Sequence, residues 1–132
     1  MIPIFVYGTL KKGGRGHHLL KNCKFLSEVT TKKNYKLYSK ISYPCMVLDL
    51  EDPKSVPGEL YLADLYTIKV LNEYEGVDVG LYSLSVIELD ENTFKNKEIV
   101  VAHGYCMSYI YLGDVSYLKV IDQWQEQLIH EY

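Results

Sequence analysis

The chain is poor in cysteine and has no cysteine pair. Cys23, Cys45 and Cys106 are odd in number and widely spaced. No CxxC links any two of them, so neither a zinc site nor a disulfide framework is expected. A large excess of either charge sign is absent too, with 14 Lys and Arg against 17 Asp and Glu. A formal net charge of −3 gives no basic surface to attract nucleic acid and no polybasic patch for a membrane. No apolar run reaches the length of a membrane span. The opening apolar run is too short for a signal peptide and has no basic region before it, so a cytoplasmic protein is expected. Internal repeats, low-complexity tracts and linkers are absent as well. The 132 residues fit one domain, 1–132, with room for one substantial core. No sequence feature sets an oligomeric state.

Tyrosine, by contrast, is abundant, with thirteen residues. Most are expected at the core or its rim, where the ring is buried and the hydroxyl finds a partner. Met1 to Val6 reads as a strand, continuously apolar and so buried on both faces. Residues 16–21 suggest a short helical turn. Cys23 to Thr31 and Tyr35 to Ser39, separated by Lys32-Lys33-Asn34, read as a hairpin. Cys45 to Leu50 and Val56 to Leu62 are further strands, with Pro57 confined to the start of the second. Asp64 is a suitable N-cap for a helix from Leu65 to about Glu75, and Gly76 supplies its stop. Leu81 to Leu89 and Glu98 to Tyr111 read as strands joined by a turn at Asp90-Glu91-Asn92. In the second, the small Ala102, Gly104, Cys106 and Ser108 alternate with larger residues, which suggests a crowded barrel interior or a close-packed partner. Ser116 is placed to cap a final helix whose stripe is Tyr117, Val120, Ile121, Trp124 and Leu128. Six or seven strands with two helices give an α+β protein.

Two places stand out for chemistry. Val6-Tyr7-Gly8-Thr9-Leu10 ends the first strand on a glycine, where the main chain can bend and a ligand can approach closely. The N–H groups of Gly8, Thr9 and Leu10 then have the means to converge on an anion. Read from these residues alone, the stretch is more often a plain connecting turn, since glycine turns are common. Glu75 is the second. Ile68, Leu71 and Glu75 share one helix face, which puts a carboxylate at the end of an apolar stripe, while Glu73 pairs naturally with Lys69 on the solvent side. Partial burial and the negative end of the helix dipole, the latter worth about 0.3–1 kcal/mol, would both raise its pKa. A carboxylate raised toward neutrality is a usable general base and acid. The bland alternative is a helix-end glutamate turned out to water.

Val6-Tyr7-Gly8-Thr9-Leu10-Lys11-Lys12-Gly13, His17-His18-Leu19-Leu20, Gly58-Glu59-Leu60-Tyr61, and Leu71-Asn72-Glu73-Tyr74-Glu75-Gly76 followed by Leu81-Tyr82 stand in that order. Together they resemble the γ-glutamylcyclotransferase-like superfamily, nearest its small γ-glutamylamine cyclotransferase branch. The resemblance implies a small, mixed, partly closed β-barrel with flanking helices. It implies a small-molecule γ-glutamyl substrate whose α-amine attacks its own γ-carbonyl, giving 5-oxoproline and a free amine, with no metal or cofactor. On the matching positions it implies Glu75 as the catalytic proton carrier. It also implies substrate binding by Tyr7, Gly8, Thr9 and Leu10, with Tyr82 closing the pocket. Glu59 and the two histidines are expected to be structural. This chain has Gly16 where the family often has asparagine, and Leu84 where an arginine often follows the tyrosine. The competing readings are a binding or regulatory module that keeps the pocket without turnover, and an interaction protein assembled through its tyrosine-rich surface.

Overall fold

The computed structural model describes residues 1–40, 42–90, 99–107 and 109–125, with Tyr109 and Ile110 described by their backbone only. The strands are β1 (Ile2–Val6), β2 (Lys24–Thr30), β3 (Tyr35–Ser39), β4 (Pro44–Leu48), β5 (Pro57–Ala63), β6 (Tyr82–Glu88), β7 (Val101–Met107) and β8 (Lys119–Ile121). The helices are α1 (Leu65–Tyr74) and the one-turn α2 (Tyr109–Leu112), with 3₁₀ turns at His17–Leu20, Val77–Val79 and Val115–Tyr117. Two sheets result, one in the order β2-β5-β1-β7-β6 and one in the order β4-β3-β8. Every described pairing is antiparallel except β1 with β7, which run parallel through Ile4↔His103.

The larger sheet curls until its edge strands meet at one end. Thr31 bridges Leu89 there, with Lys32 N–H donating to Glu88 O at 2.9 Å and Asp90 N–H to Thr30 O at 2.8 Å. The result is a mixed α+β fold, a barrel that is partly closed. Strand β1 lies at its centre and is buried on both faces, as its unbroken apolar run requires. Ile4 and Val6 pack with Ile68 and Leu71 of α1. Phe5 and Tyr7 pack with Leu37 and Met46 of the smaller sheet. The small face of β7 serves the same close packing: a Cβ on Gly104 would meet Ile87 Cγ1 at 2.8 Å. Helix α1 begins where Asp64 accepts the Thr67 N–H at 2.7 Å. It ends where Gly76 takes the left-handed conformation at φ 65°, which glycine adopts without steric cost.

The structure corrects the sequence reading in three places. Strands β2 and β3 are no hairpin: β2 pairs with β5, while β3 pairs with β4 and β8 in the other sheet. Lys32-Lys33-Asn34 carries the chain between sheets. The strand beginning near Glu98, which lies outside the described residues with Glu91, Asn92 and Ser108, stops at Met107, and the chain turns into α2. The final helix is absent as far as Gln125: Asp114 accepts the Ser116 N–H at 2.9 Å, and Lys119–Ile121 pairs with β3 as a strand. Tyr117 is exposed, Trp124 is buried, and Leu128 lies outside the described residues.

Tyr7 fastens the two sheets to each other. Its hydroxyl donates to Tyr105 O on β7 at 2.7 Å and accepts the Met46 N–H of β4 at 3.2 Å. Tyr7→Phe leaves a buried carbonyl and a buried N–H without their partner, so it should lower unfolding free energy by about 1–3 kcal/mol. Urea denaturation of the two proteins measures this; equal midpoints would mean that the hydroxyl contributes no net stability.

Candidate active site

Past β1 the chain makes a compact loop held by its own carbonyls. Gly8 O accepts from Lys11 N at 3.1 Å, and Thr9 O accepts from Gly16 N at 2.9 Å. Leu10 O lies 2.9 Å from His17 Nδ1, which donates to it in the tautomer protonated there. The side of the loop facing β5 is pinned by Glu59, whose Oε1 accepts from Lys12 N and Tyr61 Oη, each at 2.9 Å. Glu59 and His17 are thus loop supports. The three carbonyls of Gly8, Thr9 and Leu10 are used. Among the described residues no group accepts from their three N–H donors. A run of unused amides is a site for negative charge.

These three residues line a cavity of about 190 Å³ whose wall also includes Tyr7, Glu75 and Tyr82. The structure therefore brings all six residues singled out from sequence to one place. A second hollow, of about 340 Å³ beside Lys11, Glu28 and Glu59, contains none of them. Glu75 reaches the cavity because it is the residue that ends α1, one helical turn beyond the buried Leu71. Burial pushes its pKa up to about 7, with no charged neighbour among the causes. No described group donates a hydrogen bond to its carboxylate. A desolvated carboxylate with no partner is poised to exchange a proton near neutral pH.

Sequence reasoning did not single out Tyr105, Tyr74, Tyr43 and Arg15, which also line the cavity. Tyr105 arrives through the parallel pairing of β1 with β7, for which the sequence carries no local signal. Tyr82 donates to Pro44 O at 2.8 Å and Tyr105 to Asn72 Oδ1 at 2.7 Å. Together with Tyr7, these hydroxyls have their protons engaged, so they offer the cavity lone pairs only. Burial, and in lesser degree the Glu75 charge, hold all three phenols above their ordinary pKa. The cavity lining thus combines a loop whose three amides are unused with the phenol residues Tyr7, Tyr82 and Tyr105 and the carboxylate residue Glu75. In the loop Thr9 Oγ1 lies 2.8 Å from Tyr74 Oη, which ties the loop to the end of α1. Leu84 packs against the core rather than lining the cavity.

Burial pushes Cys45 and Cys106 up to about 11, so neither is a thiolate at neutral pH. Among the described residues no three His, Cys, Asp or Glu side chains gather as a metal site would need. No described helix is long and apolar enough to cross a membrane.

The sequence pattern of the family described as gamma-glutamyl cyclotransferase, AIG2-like, matches residues 4–126. A Vibrio cholerae protein provisionally named a gamma-glutamylcyclotransferase is 41% identical over 76 residues, 58% of this chain and 64% of that one. The zebrafish (Danio rerio) gamma-glutamylaminecyclotransferase A is 33% identical over 95 residues, 67% of this chain and 58% of that one. The matched stretch thus spans less than two-thirds of either relative's length. In fold, the crystal structure of a mouse AIG2-like protein superposes with a TM-score of 0.76 at 20% identity, covering 95% of this chain and 88% of that one.

Proposed function

Since the chain belongs to the gamma-glutamyl cyclotransferase, AIG2-like family, we propose that it cyclises the γ-glutamyl group of a small γ-glutamyl amine or amino-acid conjugate. The products are 5-oxoproline and the free amine. The observation that carries this reading is the pairing, across one cavity, of a partnerless carboxylate near pKa 7 with a row of unused amides.

The reaction needs an amine lone pair held against a carbonyl, and this lining suits that need. Glu75, ionised, takes a proton from the substrate's α-ammonium. Lone pairs of the Tyr82 and Tyr105 oxygens face the same cationic group. The amides of Gly8, Thr9 and Leu10 receive the α-carboxylate or the oxyanion that forms on the γ-carbonyl. The freed amine attacks the γ-carbonyl carbon and forms the ring's C–N bond. As the tetrahedral centre collapses, the bond to the departing nitrogen breaks and Glu75 returns its proton there, while the second proton that the attacking nitrogen sheds on becoming the lactam N–H passes by the same carboxylate to the released amine. No water is consumed and no residue is acylated. Holding amine and carbonyl together supplies several kcal/mol of the barrier reduction, of the order known for intramolecular reactions. Tyr82, at the wall beside Glu75, closes the cavity on the substrate.

A panel of γ-glutamyl amines and γ-glutamyl amino acids assayed for 5-oxoproline tests this. Release from at least one compound is expected. Binding without release would favour a non-catalytic module. Thr9→Ser keeps both the N–H and the hydroxyl facing Tyr74, and its kcat/KM should stay within about threefold of wild type, under 1 kcal/mol.

A further inference from the structure

Three phenols stand near Glu75, each from a different strand: Tyr7 beyond β1, Tyr82 on β6 and Tyr105 on β7. Burial comes first among the causes that raise their pKa, and the Glu75 charge is among the lesser ones for all three. None gives its proton to Glu75. Tyr7 donates to Tyr105 O at 2.7 Å and Tyr82 to Pro44 O at 2.8 Å. Both acceptors are main-chain carbonyls. Tyr105 alone of the three donates to a side chain, Asn72 Oδ1, at 2.7 Å. Asn72 is half-buried on α1, three residues before Glu75. Side chains three apart on a helix are neighbours, their Cβ atoms about 5–6 Å from each other. The last turn of α1 therefore sets two acceptors side by side near the Tyr105 hydroxyl, an amide oxygen and a carboxylate. The hydroxyl has one proton, and Asn72 holds it.

We propose that Asn72 is a positioning residue: it turns the Tyr105 hydroxyl proton away from Glu75 and so keeps that carboxylate without a donor. This rests on the function proposed above for what Glu75 does with a proton, though not for where the hydroxyl points. A hydrogen bond donated to a carboxylate favours the ionised form and lowers its pKa. Glu75 lies at about 7 because burial acts on it unopposed. A carboxylate at its ordinary value would take an ammonium proton less readily, and proton transfer is most efficient where pKa and working pH nearly agree. Asparagine suits the place because its oxygen accepts without carrying charge. An aspartate would set a second anion beside Glu75. The other ionisable residues of the cavity wall are Arg15, Tyr43 and Tyr74. The 3₁₀ turns packed on α1 bring His17, His18 and Asp78. None of these six is among the causes of the Glu75 shift. Tyr7 and Tyr82 are held by backbone, so Tyr105 is the phenol that a change of acceptor side chain can release.

The Glu75 carboxyl carbon, followed by NMR in protein labelled with carbon-13 glutamate and assigned against Glu75→Gln, reports its titration without substrate. Asn72→Leu removes the acceptor, and the Glu75 midpoint should fall about one pH unit below wild type, the difference between a hydrogen bond to a charged and to a neutral group. The acid limb of 5-oxoproline release should move by the same amount in the same direction. With Tyr105→Phe already in place, Asn72→Leu should move neither, since no hydroxyl proton is left to release. Asn72→Asp keeps an acceptor and adds a charge, so it should raise the midpoint. If Asn72→Leu does not fold, Asn72→Ala removes the same oxygen, leaves more room, and should give the same fall. An unchanged midpoint in the folded variant would make Asn72 a packing residue and overturn the inference. So would an equal fall when residue 105 is phenylalanine, or a fall in Asn72→Asp. Absence of 5-oxoproline release by wild type would remove the function proposed above, while the NMR midpoints would still decide where the Tyr105 proton lies.

Discussion

Glu75→Gln should fold, bind a γ-glutamyl ligand, and lose at least about 10²-fold in 5-oxoproline release, the lower end for general acid–base catalysis. Glutamine keeps the side chain's size and cannot accept the ammonium proton. Glu73→Gln, on the exposed side of the same helix, should cost little. The wild-type rate should fall as pH drops through about 7, the value to which burial lifts Glu75, because the base must be ionised. The same shift has a consequence for stability. A carboxyl whose folded pKa is raised favours the folded state while protonated and loses that advantage as pH rises from about 4.3, its ordinary value, through its folded pKa. At pH 8 the wild type therefore carries a desolvated charge that Glu75→Gln lacks. The variant should unfold at higher urea than wild type at pH 8, by about 1–3 kcal/mol, and the gap should close toward pH 4. Equal release by the two glutamine variants would make Glu75 a helix-end residue and nothing more.

Gly8→Val should disable the loop by a different route. A Cβ at Gly8 would lie 2.7 Å from Pro44 Cγ and 3.2 Å from Cδ. Either the loop or Pro44 must give way, and Pro44 O anchors the Tyr82 hydroxyl at 2.8 Å. Overpacking of this kind costs about 1–3 kcal/mol. Spent on moving the amides, it should raise KM by about tenfold or more, at 1.4 kcal/mol per decade. Gly8→Ala should show the same effect in weaker form. Steady-state kinetics with a thermal melt on each variant separates a displaced loop from a damaged fold. Unchanged KM in the valine variant would take the loop out of the site.

Local chemistry made much of this molecule readable. Asp64 and Gly76 mark the two ends of α1, and Pro57 marks the first residue of β5. The spacing of Ile68, Leu71 and Glu75 puts all three on the face that meets the barrel. What escaped was nonlocal. Lys32-Lys33-Asn34 has the composition of a hairpin turn, and the bond of Asn34 N to Lys32 O at 2.9 Å is a local turn. The partner of β2, however, is β5, some thirty residues further on. Tyr117, Val120, Ile121 and Trp124 satisfy helical spacing, yet β-branched Val120 and Ile121 beside the open edge of β3 pair as a strand. A short apolar run fits both periods, and the neighbouring edge decided. The cavity's amide loop and its carboxylate were each visible in the sequence. Arg15 and Tyr105 were not, because one depends on the loop's path and the other on a pairing across the chain.

That pairing bears on when the protein becomes whole during synthesis. Tyr7 and Tyr105, joined by the 2.7 Å hydroxyl bond, stand 98 positions apart. Strand β1 leaves the ribosome well before its parallel neighbour β7, which follows it by about a hundred residues in the chain. Until β7 emerges, β1 has β5 on one side and an open edge on the other, apolar on both faces and available to any passing strand. A nascent chain stalled before Val101 would carry both the amide loop and Glu75, yet would lack the strand that holds the barrel around them.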